Sequence, residues 1–458
     1  MGSNYSRGRY GKRRYYLPRK ARLAIFLACV CLLILAVVFS IRGCSRRDAV
    51  VEGPAETVQP APQDTYDTEQ TEPEPEDAEP APEEEEIPDE EVDLGETVVQ
   101  PTQRPKGTRT AVIRSIGDIV VDKYLLKAAK TSDGYDFAPF LTGVAQAMGN
   151  ADYTVLNVDG PMGGKKYATY KRYQGYPQFN TPPHLMNALK DCGVDMLTLA
   201  NNHALDTYYD GLKAEIDNCE KVGLAHIGAF RSQTERDTPV VVDINGVKVG
   251  FLNYTVSTNN MLQRSTAEAK QYGLATTGNS NAPKDIQALR AAGAEAVLVY
   301  MHWGEEYKRT PEKGTRAMAK MLVEAGADAV IGGHPHMVQG AEWITAAGSD
   351  GQQRKGLVLY SMGNFFTEHT PRYTDSGIIY EFTIQANETG AVEIKSPKYV
   401  PVYVWQSSDK SNFKAVLCAD VIQKRPSNMP DKVFKRVKQV WNELKEVFSN
   451  GIVEAAQK

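Results

Sequence analysis

The chain has 458 residues, enough for two or three domains, and its net charge of −5 is spread very unevenly. Residues 1–47 carry eleven Lys/Arg and no acidic residue, residues 48–109 carry twenty Asp/Glu and three Lys/Arg, and the remaining 38 basic and 37 acidic residues nearly cancel. Because this long, nearly neutral part has no basic field, the composition argues against nucleic-acid binding, and no nucleic-acid partner is expected.

An uncharged apolar stretch of 19 residues occupies positions 23–41 and is long enough to cross a bilayer. Eight Lys/Arg precede it, so the positive-inside rule predicts that residues 1–22 form a basic cytoplasmic tail and that the rest of the chain lies outside the cell. A cleaved signal peptide is the alternative, but residues 39–44 offer no Ala-x-Ala-like cleavage site. The expected localisation is therefore the cell membrane, with a single-pass transmembrane helix and an extracellular main domain.

The next segment, residues 42–109, is predicted to be a disordered linker. It is rich in Glu, Pro, Thr and Gln and almost free of aromatic residues, so it cannot bury enough apolar surface to offset its ordering entropy. Prolines and like charges favour an extended tether that holds the following domain away from the membrane.

Residues 110–405 alternate short apolar strands with helices that mostly end before a glycine, which is typical of an α/β domain. The predicted helices span residues 182–190, 206–222, 282–292 and 314–325. Two hairpins are also predicted, one from residues 240–245 and 247–253 around Asn245-Gly246, the other from residues 377–385 and 391–398.

The last segment, residues 406–458, is predicted to be a C-terminal helical extension. Five apolar side chains recur there at helical spacing, namely Val433, Val437, Trp441, Leu444 and Phe448. Packing of this stripe on the domain is favoured over a partner-binding helix.

Polar motifs follow several of the apolar strands, at the sheet edge where α/β proteins gather their sites. These motifs are Gly117-Asp118, Asn157-Val158-Asp159, Asn201-Asn202-His203, His302-Trp303-Gly304, Gly333-His334-Pro335-His336 and Ser361-Met362-Gly363-Asn364. In an extended turn, His334 and His336 can both point into one cleft, because alternate residues share a side. Since neutral imidazole is the commonest metal ligand in proteins, the His-Pro-His turn predicts a metal clamp.

With these motifs in this order, the sequence resembles the CapA-type capsule and poly-γ-glutamate biosynthesis family, within the calcineurin-like metallophosphatase superfamily. The resemblance covers residues 110–405. It implies a four-layer αββα sandwich, in which two mixed sheets face each other and helices cover the outside.

The resemblance also implies roles for individual residues. Asp118 and His336 would bind a first metal, and Asp159 would bridge two metals. Asn202, His302 and His334 would bind the second metal. His203 would be a non-ligand histidine beside the substrate, either a general acid or an electrostatic stabiliser. Asp206, three residues after His203, is placed to orient it if that segment begins a helix. The remaining predicted site residues would support these ligands or position substrate, and they are Asn201, Glu306 and Asn364.

The mixture of carboxylate, imidazole and amide ligands indicates one or two divalent transition metal ions, Mn, Fe or Zn, rather than Mg or Ca. Two residues depart from the family pattern. Val120 stands where the metallophosphatase motif Asp-x-His has its second ligand, and Asp159 stands where the CapA-type group commonly has Glu. The other three histidines, His184, His226 and His369, are expected to be structural.

Two functions remain open from the sequence. The first is a membrane-anchored, extracellular, metal-dependent hydrolase or transferase that acts in synthesis, export or anchoring of poly-γ-glutamate or a related capsule polymer. The second is a non-catalytic subunit that binds polymer or supports a synthase complex, with a vestigial metal site. Either function predicts an anionic surface polymer and membrane synthase or export subunits as partners.

Overall fold

The computed structural model describes residues 107–449 and 453–454. The predicted cytoplasmic tail, the transmembrane helix and nearly all of the linker lie outside these residues. Among the residues that are described, no helix is both long and apolar enough to cross a bilayer. Strand structure begins at Arg109, the last residue that the sequence assigned to the linker.

The larger sheet has the strand order β14-β13-β12-β1-β2-β3-β4, with β11 paired to β1 and β15 paired to β13. Strands β1 to β4 run parallel, whereas β12, β13 and β14 continue antiparallel from the other side of β1. Its strands are β1 (Arg109–Val120), β2 (Tyr153–Val158), β3 (Met196–Thr198), β4 (Ala225–Ile227), β11 (Asn364–Thr367), β12 (Ser376–Ala386), β13 (Val392–Gln406), β14 (Phe413–Leu417) and β15 (Val453–Glu454).

The smaller sheet has the order β5-β6-β7-β8-β10-β9, and β6, β7, β8 and β10 run parallel. Its strands are β5 (Val241–Ile244), β6 (Val247–Thr255), β7 (Ala296–His302), β8 (Ala329–Gly333), β9 (Val338–Ala347) and β10 (Gln353–Met362). Both predicted hairpins are confirmed, as β5–β6 and β12–β13. Asn245 and Gly246 turn the first one with φ values of 52° and 82°, which suit an Asn-Gly turn.

The α-helices are α1 (Lys123–Ala129), α2 (Ala138–Leu141), α3 (Ala145–Gly149), α4 (His184–Asp191), α5 (Tyr208–Lys221), α6 (Gln233–Asp237), α7 (Ala282–Ala291), α8 (Lys313–Ala325), α9 (Cys418–Gln423) and α10 (Asp431–Val447). All four helices predicted in the body are present, with shifted ends. Helix α5 begins at Tyr208 rather than Asp206, because residues 202–207 form turns and the Asp206 carboxylate bonds His203 instead of capping the helix.

The two sheets pack face to face, and helices cover their outer faces. Strand β7 shows why, since all seven of its residues are buried. Its alternate side chains face opposite layers: Leu298 and Tyr300 lie in the core between the sheets, whereas Val297 and Val299 pack with helices α7 and α8. A second outer core joins the larger sheet to α1, α4 and α5.

The C-terminal segment belongs to the same body. Strand β14 pairs with β13, so the segment after residue 405 contains strand as well as helix, and the predicted boundary at 405/406 falls within β13. Helix α10 buries Val437, Val440 and Leu444 in the core between the sheets, and the Phe448 ring stacks 4.3 Å from Tyr399. The apolar stripe therefore packs on the domain, as the sequence predicted.

Candidate metal centre

Asp118 lies at the end of the central strand β1 and is fully buried. Its two carboxylate oxygens accept hydrogen bonds from β2 and from the turn after β8. The Asn157 amide donates to Oδ1 over 2.8 Å, and the His334 backbone N–H donates to Oδ2 over 3.0 Å. Asp118 donates its own N–H to the Gly363 carbonyl, just before its register partner Asn364 in β11. These bonds fix one carboxylate at the junction of both sheets.

Asp159 follows β2 and lies beside Asp118 with 2% of its surface exposed. Its Oδ2 is 3.8 Å from the Nε2 atom of His336, and its Oδ1 is 3.7 Å from the Nε2 atom of His302. Neither distance is a hydrogen bond, and Oδ1 is buried without a hydrogen-bond partner. Burial of a carboxylate oxygen without a hydrogen-bond donor is unfavourable unless a positive group binds it.

The His-Pro-His turn after β8 presents two imidazoles. His334 and His336 both adopt left-handed backbone conformations, with φ values of 94° and 57°, which turn the chain back sharply above the strand end. The Nδ1 atom of His336 bonds Oδ1 of Asn364 over 2.9 Å, so Nε2 remains for another partner. The Nδ1 atom of His334 is buried and has no hydrogen-bond partner.

His302 ends β7 in register with Gly333, so it meets the turn directly. Its ring centroid lies 4.7 Å from that of His334, and its Nε2 atom is 2.9 Å from Oδ1 of Asn202. Burial and neighbouring histidines lower the pKa of His302 well below its ordinary value and that of His334 to about 3. Both rings are therefore neutral near pH 7, the form in which imidazole binds metal.

Three groups in this cluster suit a single ion. Ligand atoms of Asp118, Asp159 and His336 all lie within 4.8 Å of one another, and all three residues are buried. The unpartnered atoms of Asp159 and His334 point to the same chemistry, because a divalent cation would satisfy oxygen and nitrogen lone pairs that no donor reaches. Burial raises the pKa of Asp159 to about 6, with the charges of His203 and His336 opposing the rise. The residues present therefore fit a divalent ion.

His203 and Asp206 form a pair beside the cluster, on the turn between β3 and α5. The His203 Nδ1 atom lies 2.7 Å from Oδ2 of Asp206, and that oxygen also accepts the Phe179 N–H over 2.7 Å. The Phe179 ring packs edge-on against the imidazole at 4.6 Å. Burial lowers the pKa of His203, but the hydrogen bond to Asp206 and the charges of Asp159 and Asp206 outweigh it, so the pKa is raised.

The three predicted supporting residues occupy different positions. Asn201 donates its amide to the Val158 carbonyl and accepts the His203 N–H, so it ties the His203 turn to β2. Asn364 contacts His336 as described and donates to the Thr374 carbonyl over 2.9 Å. Glu306 is half-buried, and its charge contributes to the raised pKa of His203.

Some neighbours were missed by sequence reasoning. His369, expected to be structural, lies beside the cluster, with its ring 5.5 Å from His336 and a pKa lowered by burial to about 4. Asn157 was quoted only as part of a motif, although it bonds both Asp118 and Thr198. Of the other two histidines expected to be structural, His226 is 3.7 Å from Glu220, and His184 lies near Tyr135.

The sequence matches a known protein family and is similar to two named Bacillus proteins. Residues 112–369 match the family described as "Bacterial capsule synthesis protein PGA_cap". The chain is similar to the capsule biosynthesis protein CapA of Bacillus anthracis, with 27% identity over 64% of this chain and 68% of that protein. It is also similar to the PGA biosynthesis protein CapA of Bacillus subtilis (strain 168), with 26% identity over 61% of this chain and 69% of that protein.

Among solved structures, the calcineurin-like phosphoesterase YfkN from Bacillus subtilis is 15% identical, with 74% of this chain and 99% of that chain covered at a TM-score of 0.38. The family match extends over more than half of the chain. The CapA-type resemblance of the sequence is thereby confirmed, and the chain belongs to the bacterial capsule synthesis protein PGA_cap family.

Proposed function

We propose that this protein is a metal-dependent hydrolase or transferase that acts on poly-γ-glutamate or a related capsule polymer during its synthesis, export or anchoring. The observation that carries the proposal is the buried group of Asp118, Asp159 and His336, with unpartnered ligand atoms on Asp159 and His334. Family membership and the names of the two Bacillus relatives support the polymer as substrate.

Asp118, Asp159 and His336 would hold one ion, and His302, His334 and Asn202 would hold a second ion beside Asp159. Mn, Fe or Zn suits this mixture of oxygen and nitrogen donors. The chemistry supplied by such an ion, when bound, would be polarisation of the bond under attack and a lowered pKa of bound water. The chain's own contribution is to keep His302 and His334 neutral by burial and to hold Asp118 rigid with two hydrogen bonds.

His203 would be the proton donor to the leaving group. Its raised pKa favours the protonated ring, and its Nδ1 is occupied by Asp206, so Nε2 is the atom that would deliver the proton. Asp206 fixes the ring orientation, because the Phe179 N–H holds the same carboxylate oxygen from the other side. The pair thus resembles the base and orienting carboxylate of other hydrolytic sites.

The cellular setting is part of the proposal. The apolar stretch at residues 23–41 and the eight Lys/Arg before it support a cytoplasm-in membrane anchor. The described domain would then act outside the cell on polymer that emerges from a membrane synthase or export complex, its expected partner.

The test uses the full-length chain, reconstituted with Mn or Zn. Asp118→Asn combined with His336→Asn should remove the bound metal measured by elemental analysis, whereas His226→Asn, at a histidine that lies beside Glu220, should leave it unchanged. His203→Asn should keep both metal and thermal stability but lower turnover of poly-γ-glutamate by about 100- to 10,000-fold, the usual contribution of a general acid. Normal metal content in the double variant would refute the site.

A non-catalytic role is the second candidate, and Val120 is the observation that favours it. Val120 is a buried aliphatic residue at the position of a metallophosphatase ligand, so the site near Asp118 has one donor fewer. A "Probable polyglutamine synthesis accessory protein" of Mycobacterium tuberculosis is among the similar proteins, at 23% identity. If His203→Asn supports surface polymer at wild-type levels, the accessory role is the correct one.

A further inference from the structure

A cationic, tyrosine-rich segment follows Asp159 directly in the chain. Residues 160–190 contain five Lys/Arg and no Asp or Glu. Within it, tyrosines recur at every third position, as Tyr167, Tyr170, Tyr173 and Tyr176. We call residues 164–179 the lysine–tyrosine loop. Neither the proposed chemistry nor the fold requires this composition.

The lysine–tyrosine loop is held in one shape by the buried residue Asn180. The Asn180 side chain donates to the carbonyls of Arg172 and Gly164, over 2.8 and 3.4 Å. Its backbone exchanges two hydrogen bonds with Gln174, and Thr181 donates to the Pro161 carbonyl at the neck of the loop. Charged side chains on the loop are therefore displayed from a fixed backbone.

Four cations of the loop are exposed, and within residues 107–449 none of them forms an ion pair with an acidic side chain. These four are Lys165, Lys166, Lys171 and Arg172. Three of them lie over tyrosine rings instead, Lys165 at 5.2 Å from Tyr173, Lys166 at 4.7 Å from Tyr167 and Arg172 at 5.2 Å from Tyr170. Their charge is not neutralised locally, so it attracts anions.

The loop borders the metal centre. Its last residue is Phe179, which packs on His203 and bonds Asp206. Tyr176 packs edge-on against Phe179 at 6.5 Å and is 75% exposed. On the other side of the cluster, the exposed Tyr307 ring lies 5.8 Å from His336. Exposed aromatic rings thus border the cluster on the His203 and His336 sides.

We propose that the lysine–tyrosine loop binds a polyanionic carboxylate polymer, a run of poly-γ-glutamate, and presents it to the metal centre. This inference rests on the proposed function, because it names the surface that holds the same substrate. Each polymer unit carries one carboxylate and two methylene groups, which match alternating ammonium groups and tyrosine faces. An anionic membrane offers similar charge, but a bilayer seated on the loop would cover the adjacent site.

The experiment compares two variants of the full-length chain in detergent, so that the basic residues 1–47 are common to both. One variant carries K165Q, K166Q, K171Q and R172Q. The matched control carries K221Q, K284Q, K424Q and K435Q, which remove the same charge from exposed positions elsewhere. Fluorescence anisotropy measures binding of labelled poly-γ-glutamate at several salt concentrations.

The loop variant should bind the polymer roughly tenfold more weakly or worse at low salt, and with a smaller salt dependence, because four exposed charges are lost. The control should bind like wild type, and both should keep wild-type metal content. Unchanged polymer affinity in the loop variant overturns the inference. Binding of dihexanoyl-phosphatidylglycerol is measured in parallel. If the loop variant loses affinity for this lipid only, the loop binds lipid headgroups and the inference is also overturned. The catalytic proposal fails on a different result, which is unchanged turnover in His203→Asn. In that case polymer binding would still depend on the loop.

Discussion

Glu215 should make the protein less stable as the pH rises. It lies with 2% of its surface exposed in helix α5, which packs on the outer core of the larger sheet. Burial raises the pKa of its carboxyl group from an ordinary 4.5 to about 8, and a hydrogen bond from the Met162 backbone opposes only part of this. The folded protein therefore keeps a proton on Glu215 at neutral pH.

The sign and size of the effect follow from this pKa. Below pH 4.5 the carboxyl group is protonated in both the folded and the unfolded state, so its full contribution is present. Between pH 4.5 and about 8 the unfolded chain loses the proton and the folded chain keeps it, so stability falls as pH rises. At about 1.4 kcal/mol for each unit, the total loss is on the order of 4 to 5 kcal/mol.

Glu215→Gln removes the titrating group and keeps an oxygen that accepts the Met162 hydrogen bond. The variant should unfold at nearly the wild-type temperature at pH 5 and roughly 10 °C higher at pH 9, from about 2 °C for each kcal/mol in a large domain. Tryptophan fluorescence can follow the transition, because all four tryptophans lie within residues 107–449. Glu446→Gln, on the exposed side of α10, is the control and should show no such trend. A difference between wild type and Glu215→Gln that stays constant from pH 5 to pH 9 would refute the assignment.

Two further substitutions probe the site and the joint between the sheets. A Cβ on Gly333 would lie 2.8 Å from Oδ1 of Asp118, so Gly333→Ala should displace that carboxylate and lower the metal content. Gly314→Ala is the control, because a Cβ there meets open space. Equal metal content in both variants would contradict the ligand role of Asp118. The Arg109 guanidinium donates two hydrogen bonds, of 2.7 and 3.0 Å, to the carboxylate of buried Glu295. Arg109→Leu should therefore lower the free energy of unfolding by about 3–5 kcal/mol in urea titrations at pH 7. A decrease below about 1 kcal/mol would show that the pair is not stabilising.

The sequence alone could place much of this site, because the relevant signal is local. A polar motif after an apolar strand can be recognised from a few consecutive residues. Parallel strands then bring these motifs together, because their carboxyl ends lie at the same edge of the sheet. Asp118, Asp159, His302 and the His334–His336 turn could all be found this way. The layered fold was accessible for a related reason, since continuous apolar runs such as β7 indicate strands buried on both faces.

The parts that could not be predicted depend on partners distant in sequence. His369 follows β11, a strand of four residues that the sequence did not predict, and the pairing of β11 with β1 brings its loop beside His336. The contact of Phe179 with Asp206 joins two loops, so no spacing rule reveals it. The lysine–tyrosine loop had a signal in its missing acidic residues, but only the structure shows that it borders the metal centre.

The bond between Asp118 and the His334 backbone also bears on the order in which the protein matures. These two residues are 216 positions apart, so their contact closes a long loop and has a large closure entropy. Because synthesis begins at the amino terminus, Asp118 and Asp159 are added to the chain long before His334 and His336. Because metal affinity depends on the assembled ligand set, capture of an ion at the proposed site would be coupled to completion of the fold. Loading with metal would thus mark a finished molecule and leave unfinished chains empty.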